Sequence, residues 1–228
     1  MATAIHLTAP SIIPNDAISS LGKRALALSA KRLEDIVVAF LALVLLGPLM
    51  IAICIAMRIS DPGPILFRQT RIGKAGREFK CYKFRSMVLD AERILNGHLE
   101  QDESARREWK ANQKLTVDPR VTPLGSFLRR TSLDEMPQFF NVLAGDMSII
   151  GPRPIVRGEI PKYGGKILYY LAMRPGITGL WQVSGRSNCS YQERVTLDTR
   201  YVSEWSLKAD MIILLKTIPA VLLQSGSR

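Results

Sequence analysis

Hydrophobicity along this chain is concentrated rather than spread. Residues 36–57 form a run of 22 positions without a formal charge, and about 20 suffice for a helix to cross a bilayer. Gly47 and Pro48 sit near its middle. A proline cannot donate to the helical ladder and its ring clashes with the preceding turn, so a kink or break is expected there. Ahead of the run, residues 1–30 are rich in Ala, Ser, Ile and Pro and are expected to be a mostly irregular tail. They lack the basic start and apolar core of a cleavable signal. Behind the run, Asp61-Pro-Gly-Pro64 is a turn cluster. Residues 65–72 and 78–87 read as strands joined around residues 73–76, a hairpin. Residues 90–113 are charged with a helical pattern, and Asp118-Pro-Arg120 and Thr122-Pro-Leu-Gly125 read as turns. A short helix leads to Arg129 and Arg130, and another continues over 137–143, proline being tolerated near a first turn. Further helices are expected over 159–172 and 190–204. Residues 207–223 are apolar but interrupted by Lys208, Asp210, Lys216 and Pro219. That stretch is too broken to span and reads as a helix lying in a membrane interface or packed on the domain.

Charge changes this picture in two ways. The 228 residues carry 31 Lys+Arg against 20 Asp+Glu, a formal net charge of +11, which suits acidic partners: anionic lipid, phosphorylated substrates or nucleic acid. The charges flanking the apolar run also agree in sign, with Lys23, Arg24, Lys31 and Arg32 before it and Arg58, Arg68, Arg71 and Lys74 after it. Under the positive-inside rule both ends prefer the cytoplasm. A helix bent at Gly47-Pro48 and returning to the same face satisfies charge and break together. Prolines also occur in ordinary spanning helices, so both readings stay open on physics alone. From Arg58 to Asp90 eight Lys/Arg face three acids, a basic ribbon beside a membrane segment that would attract anionic headgroups on its own.

The candidate chemistry follows by exclusion and then by pattern. Cys54, Cys81 and Cys189 have no CxxC spacing, which argues against a disulfide framework or a zinc site. Two histidines, His6 and His98, leave a histidine-based triad or HExxH site without material. No P-loop and no GxGxxG is present, so a nucleophile or base here is expected to be a carboxylate. Asp134 and Glu135 stand adjacent, directly behind Arg129 and Arg130. Ser132 and Glu135 fit a capping box, and acids suit a first helical turn. That does not account for Asp134, and neighbours on a helix point about 100° apart, so two separate roles are expected rather than a shared proton. Arg153 lies between Pro152 and Pro154, a stiff mount for a guanidinium that suits bidentate phosphate binding. Arg174 and Arg186 bracket a glycine-rich segment with Trp181, in which small residues would let backbone approach a ligand, or Trp181 would be core.

Taken together, Lys83-Phe-Arg-Ser-Met87, Asp118-Pro-Arg120, residues 128–138, Asn141-Val-Leu-x-Gly-Asp-Met-Ser148, Gly151-Pro-Arg-Pro154 and Arg174-Pro-Gly-Ile-Thr-Gly179 resemble the bacterial sugar transferases. These are monotopic polyprenyl-phosphate phosphoglycosyl transferases. The resemblance covers about residues 31–223. The ending, with Tyr201-Val-x-x-Trp-Ser206 and Lys216-Thr-Ile-Pro-Ala220, is most similar to the short exopolysaccharide-initiating members, galactose-1-phosphate transferases among them. The resemblance implies an α/β fold, mixed and mainly helical. It would be a small membrane-associated catalytic domain with a re-entrant N-terminal membrane helix, a β-hairpin and amphipathic interfacial helices. The expected division is a tail over 1–30, the re-entrant helix over 31–60, broken at Gly47 and Pro48, and a cytosolic catalytic domain over 61–228. The implied reaction moves a hexose-1-phosphate, galactose ahead of glucose, from a UDP-hexose to undecaprenyl phosphate at the cytoplasmic face of the bacterial inner membrane. Asp134 would be the nucleophile and Glu135 the second acid, the two also holding Mg²⁺. Lys83, Arg85, Arg129, Arg130, Arg153, Arg174 and Arg186 are the expected phosphate-binding set. One family member carries Ser before the helix-breaking proline; here it is Gly47. Membrane lipid is an expected partner, nucleic acid is not, and a homo-oligomer is allowed. The rival reading is a membrane-tethered basic binding module without catalysis, which leaves Asp134-Glu135 and Arg153 unexplained.

Overall fold

The computed structural model describes residues 15–112, 115–185 and 189–222. Helix α1, Asn15–Ser60, is one element of 46 residues. It begins at Asn15, so residues 15–30, expected to be irregular, are helical; their Ala, Leu, Lys and Arg are good helix formers. Pro48 lies inside the helix, which is not broken there. A proline removes one donor while the ladder on either side persists, so the expected break is not present.

One face of α1 is held by the domain along its whole apolar length. Lys31, Asp35, Ala39, Ile53 and Met57 are buried, with Leu46 and Met50 packed between them. That spacing keeps one side of the helix against the domain. The other face exposes Phe40, Leu41, Val44, Leu45, Ile51 and Ile55. At the first end, Lys31 Nζ lies 2.7 Å from Asp210 Oδ2, both buried, and Asp35 Oδ1 accepts from Ser148 Oγ and the Ile149 N–H. At the other end, Ile53 and Met57 pack with Phe84, Leu128 and Met136.

The hairpin is present as expected: β1, Leu66–Ile72, pairs antiparallel with β2, Glu78–Phe84, in the register Phe67↔Lys83, Gln69↔Cys81. The charged stretch forms two helices, α2 (Ala91–Gln101) and α3 (Glu103–Asn112). Thr122, read as part of a turn, instead caps α4, Pro123–Arg130, its side chain accepting from the Gly125 N–H at 2.9 Å. Helix α5, Gln138–Ala144, follows Pro137. A second sheet was not legible. Strand β3, Ser148–Ile150, pairs in parallel with β4, Gly176–Thr178. Parallel strands need a long crossover, and here α6 (Ile160–Tyr163) and α7 (Ile167–Ala172) supply it, dividing the single helix expected over 159–172. Helix α8, Leu180–Ser184, leads to α9, Tyr191–Ser203, and α10, Leu207–Leu222. On α10, Asp210 and Ile213 are buried against the domain while Met211, Ile212, Leu215 and Ile218 stay exposed. Among the described residues the fold is mixed and mainly helical, with two small two-stranded sheets.

The glycines of the 174–179 segment serve this sheet rather than a ligand. A Cβ on Gly176 would come within 2.1 Å of the Gly151 nitrogen, and one on Gly179 within 2.1 Å of the Gly151 oxygen. Backbone packs on backbone there, which only glycine permits.

Candidate active site

Asn141 sets the position of the hairpin. Its side chain donates to the Lys80 carbonyl and accepts from the Tyr82 N–H, at 2.8 and 2.9 Å. These bonds fix β2 against α5 and bring Lys83, one residue on, to the carboxylate pair. Lys83 Nζ lies 2.5 Å from Glu135 Oε1 and 3.8 Å from Asp134 Oδ2.

The acids arrive there by a route the capping-box pattern did not foretell. Ser132 has φ 58, in the left-handed region, and its side chain caps nothing. Leu133–Glu135 then form a 3-10 turn, so Asp134 and Glu135 precede α5 rather than opening it. Left-handed backbone in a residue with a Cβ is uncommon and tends to gather at functional sites. The sharp turn aims both carboxylates at one ammonium.

Their environments differ. Asp134 is only 8 % exposed. Burial pushes its carboxyl up to about 6, Lys83 and Arg129 pulling it down and Glu135 adding to the rise. On Glu135 burial also pushes upward, but Lys83, by charge and by hydrogen bond, with Arg153 and Arg71, holds the carboxyl below its ordinary value. With 37 % of its side chain open to solvent, Glu135 is the easier of the two to ionise. Raised and lowered carboxyls side by side suit different tasks.

The pair forms part of the wall of a cavity of about 1350 Å³. Arg129 lines it and donates from Nε to Ser86 Oγ at 2.8 Å. Arg85 lines it too, though its Nη2 is committed to Asp61, whose Oδ2 is 3.2 Å away at the turn after α1. Arg153 reaches it from a loop tied down on all sides. The Gly176 N–H donates to the Pro152 carbonyl, Arg71 to the Pro154 carbonyl, and the Ile155 N–H to the Tyr170 hydroxyl. Asp198, fully buried in α9, accepts the backbone N–H of Arg153 and the Tyr163 hydroxyl.

Two expected residues do not join the site. Arg174 donates from Nε to the Gly145 carbonyl at 2.7 Å, while Arg32 donates to the carbonyls of Val142 and Leu143. Together they satisfy the carbonyls at the C-terminal end of α5, which lack helical partners. Arg130 is exposed and does not line the cavity. Arg186 lies outside the described residues. The reading missed Gln69 and Arg71, which line the cavity from β1. Strand alternation puts both on the face of Cys81 and Lys83, a signal that was available. It also missed Gln138, buried on the cavity wall, and Arg194 behind it.

Among the described residues no three His, Cys, Asp or Glu side chains are grouped to hold a metal ion. The two carboxylates alone are a donor set of the kind Mg²⁺ takes when substrate phosphates and water complete its shell.

A buried carboxylate among cations thus lines a cavity beside an apolar helix. The chain belongs to the bacterial sugar transferase family, whose model matches residues 26–224. It is 48 % identical over 198 residues to the exopolysaccharide production protein ExoY of Sinorhizobium fredii, covering 87 % of this chain and 88 % of that one. It is 48 % identical over 197 residues to the undecaprenyl-phosphate galactose phosphotransferase of Salmonella typhimurium, covering 86 % of this chain and 41 % of that one. Against the UDP-glucose:undecaprenyl-phosphate glucose-1-phosphate transferase of Escherichia coli the identity is 42 % over 197 residues, covering 82 % and 39 %. The chain thus spans nearly all of ExoY and about two fifths of the longer relatives.

Proposed function

We propose that the protein transfers a hexose-1-phosphate, galactose ahead of glucose, from a UDP-hexose to undecaprenyl phosphate, and so begins exopolysaccharide assembly. The observation that carries this reading is Asp134, buried on the cavity wall with Lys83 and Glu135 against it. An Asp134 oxygen bonds the sugar-linked phosphorus, and the bond from that phosphorus to the bridging oxygen breaks. UMP leaves with the electron pair. An oxygen of undecaprenyl phosphate then bonds the same phosphorus, and Asp134 departs as carboxylate, leaving undecaprenyl-diphosphate-sugar. Dividing the transfer into two displacements is the usual gain from a covalent intermediate.

Carboxylate and diphosphate repel, so the cavity's cations have to quiet that repulsion before attack. Lys83 and Arg129 act on Asp134, and Lys83, Arg153 and Arg71 on Glu135. Mg²⁺ would be held by Glu135 and Asp134 and would add neutralising charge on the phosphates. Galactose leads because the galactose relative is 48 % identical and the glucose relative 42 %.

The site works at the cytoplasmic face of the inner membrane, with α1 continuous through Pro48 and both its flanks on that face. Asp35 and Met57 are 22 residues apart, about 33 Å along a helix and about the thickness of a hydrocarbon core. Both nevertheless pack on the same domain, which supports flanks on one side of the bilayer. A binding module without catalysis leaves the adjacent Asp134 and Glu135 on the cavity wall unexplained. Purified protein with UDP-galactose and undecaprenyl phosphate should release UMP, and Asp134→Asn should not. No UMP from any UDP-hexose would overturn the reading.

A further inference from the structure

The cavity wall around Arg153 has a second layer. Trp181, 7 % exposed on α8, presents its ring to two guanidinium groups: Arg153 Cζ lies 5.3 Å from the ring centroid and Arg194 Cζ 5.7 Å. Arg194 in turn sits 4.5 Å from the Tyr191 ring, and Lys162 Nζ 4.8 Å from the same ring. Cations and aromatic rings thus alternate from Lys162, through Tyr191, Arg194 and Trp181, to Arg153 in the cavity.

Both arginines of this stack are also held from outside it. Arg194 Nη2 lies 3.3 Å from Glu159 Oε1, and the same carboxylate lies 3.8 Å from Arg71 Nη1. Arg153 is held at its backbone by Asp198. Its guanidinium, by contrast, is short of anions. Burial and the positive charges of Arg194 and Arg71 oppose it, and Glu135 and Glu159 favour it. A half-buried cation crowded by like charges gains from a partner that is neither water nor another cation. The negative face of an indole supplies one, and is worth most where water is excluded. The indole N–H of Trp181 is buried without a hydrogen-bond partner. A buried donor left so is a cost, so what this side chain contributes is its face.

We propose that Trp181 and Arg194 are positioning residues for Arg153, holding its guanidinium flat toward Glu135 and the phosphates of the sugar nucleotide. The proposal rests on the functional reading above. It predicts that the stack governs capture of the diphosphate and leaves the chemical step at Asp134 nearly untouched.

The test compares Trp181→Leu, Trp181→Phe and Arg194→Lys with the wild-type full-length chain. Three quantities are read: KM and kcat for UDP-galactose, the Kd of UDP, and the thermal midpoint. Trp181→Leu removes the ring face, and KM and Kd should both rise about tenfold, the scale of one desolvated cation–π contact, with kcat changed less than about threefold. Trp181→Phe keeps a smaller aromatic face and loses the unpartnered N–H, so it should recover part of the loss. Arg194→Lys keeps the charge beside Glu159 and loses the plane, and should raise KM while the midpoint holds. If Trp181→Leu does not fold, Trp181→Phe and Arg194→Lys still decide. Wild-type KM and Kd in Arg194→Lys, or a Phe variant as impaired as Leu, would reduce the stack to packing and overturn the proposal. Wild-type protein that binds UDP but releases no UMP from any UDP-hexose would overturn the functional reading instead, and the Kd series would still judge the stack.

Discussion

Replacing Asp134 by Asn separates the chemistry of the site from its stability. The side chains are nearly isosteric, so packing changes little while the charge disappears. Burial sets the Asp134 carboxyl at about 6, above its ordinary 3.8. An acid whose folded pKa exceeds its unfolded value holds its proton more tightly when folded. The folded state is therefore favoured at low pH and loses stability as pH rises from about 4 through 6, levelling off above. A displacement of about 2 pH units at 1.4 kcal/mol each makes the ionised carboxylate cost about 3 kcal/mol at pH 8 and about half that at pH 5. Lys83 is not orphaned by the change, because Glu135 Oε1 remains 2.5 Å from its ammonium. Asp134→Asn is thus expected to be more stable than wild type by up to about 3 kcal/mol at pH 8, with most of the gain gone at pH 4, while transferring no sugar phosphate. Thermal unfolding of both proteins in one detergent, across pH 4 to 8, reads the gain. A variant less stable than wild type at pH 8, or a gain that does not depend on pH, would refute the reasoning.

Turnover should follow the same carboxyl in the opposite sense. The nucleophile must be ionised, so kcat should climb between pH 5 and 7 and be roughly tenfold lower at pH 5 than at pH 8; a flat profile over that range would point to another group. Arg153→Lys keeps the charge and loses the planar fork, and kcat/KM for UDP-galactose should fall at least about tenfold; a wild-type value would make Arg153 a bystander. At the far end of the molecule, Asp210→Ala leaves Lys31 buried without its carboxylate and takes an acceptor from the Tyr201 hydroxyl and the Trp205 indole. Breaking such a pair should cost about 3–5 kcal/mol, and a loss below about 1 kcal/mol in denaturant unfolding would contradict a stabilising role for the Lys31–Asp210 pair.

What was legible in the chain was local. The hairpin announced itself by turn residues between alternating strands, and the apolar helix by an unbroken run. Asp134, Glu135, Lys83 and Arg153 were singled out by motif and meet in one cavity. What was not legible depended on distant partners. Lys31 and Asp210 are 179 positions apart, and nothing in either neighbourhood says that they form a pair. Strands β3 and β4 have three residues each, too few for a period to show, and their glycines resembled a ligand loop because close backbone approach has the same composition whichever backbone approaches. Arg174 resembled a phosphate ligand until α5 ended beside it with carbonyls to satisfy. Ser132 and Glu135 matched a capping box, yet the left-handed turn at Ser132 spends that residue on aiming the acids at Lys83.

The central claim is a covalent step on Asp134, and peptide mass spectrometry tests it without the lipid acceptor. Wild-type protein held with UDP-galactose alone, then quenched and digested, should gain one hexose-phosphate on the peptide that contains Asp134, with UMP in the supernatant in equal amount. Asp134→Asn should gain none, and Glu135→Gln should load slowly rather than not at all. UMP release that strictly requires undecaprenyl phosphate, with no labelled peptide in its absence, would contradict the account and favour direct transfer between the two substrates.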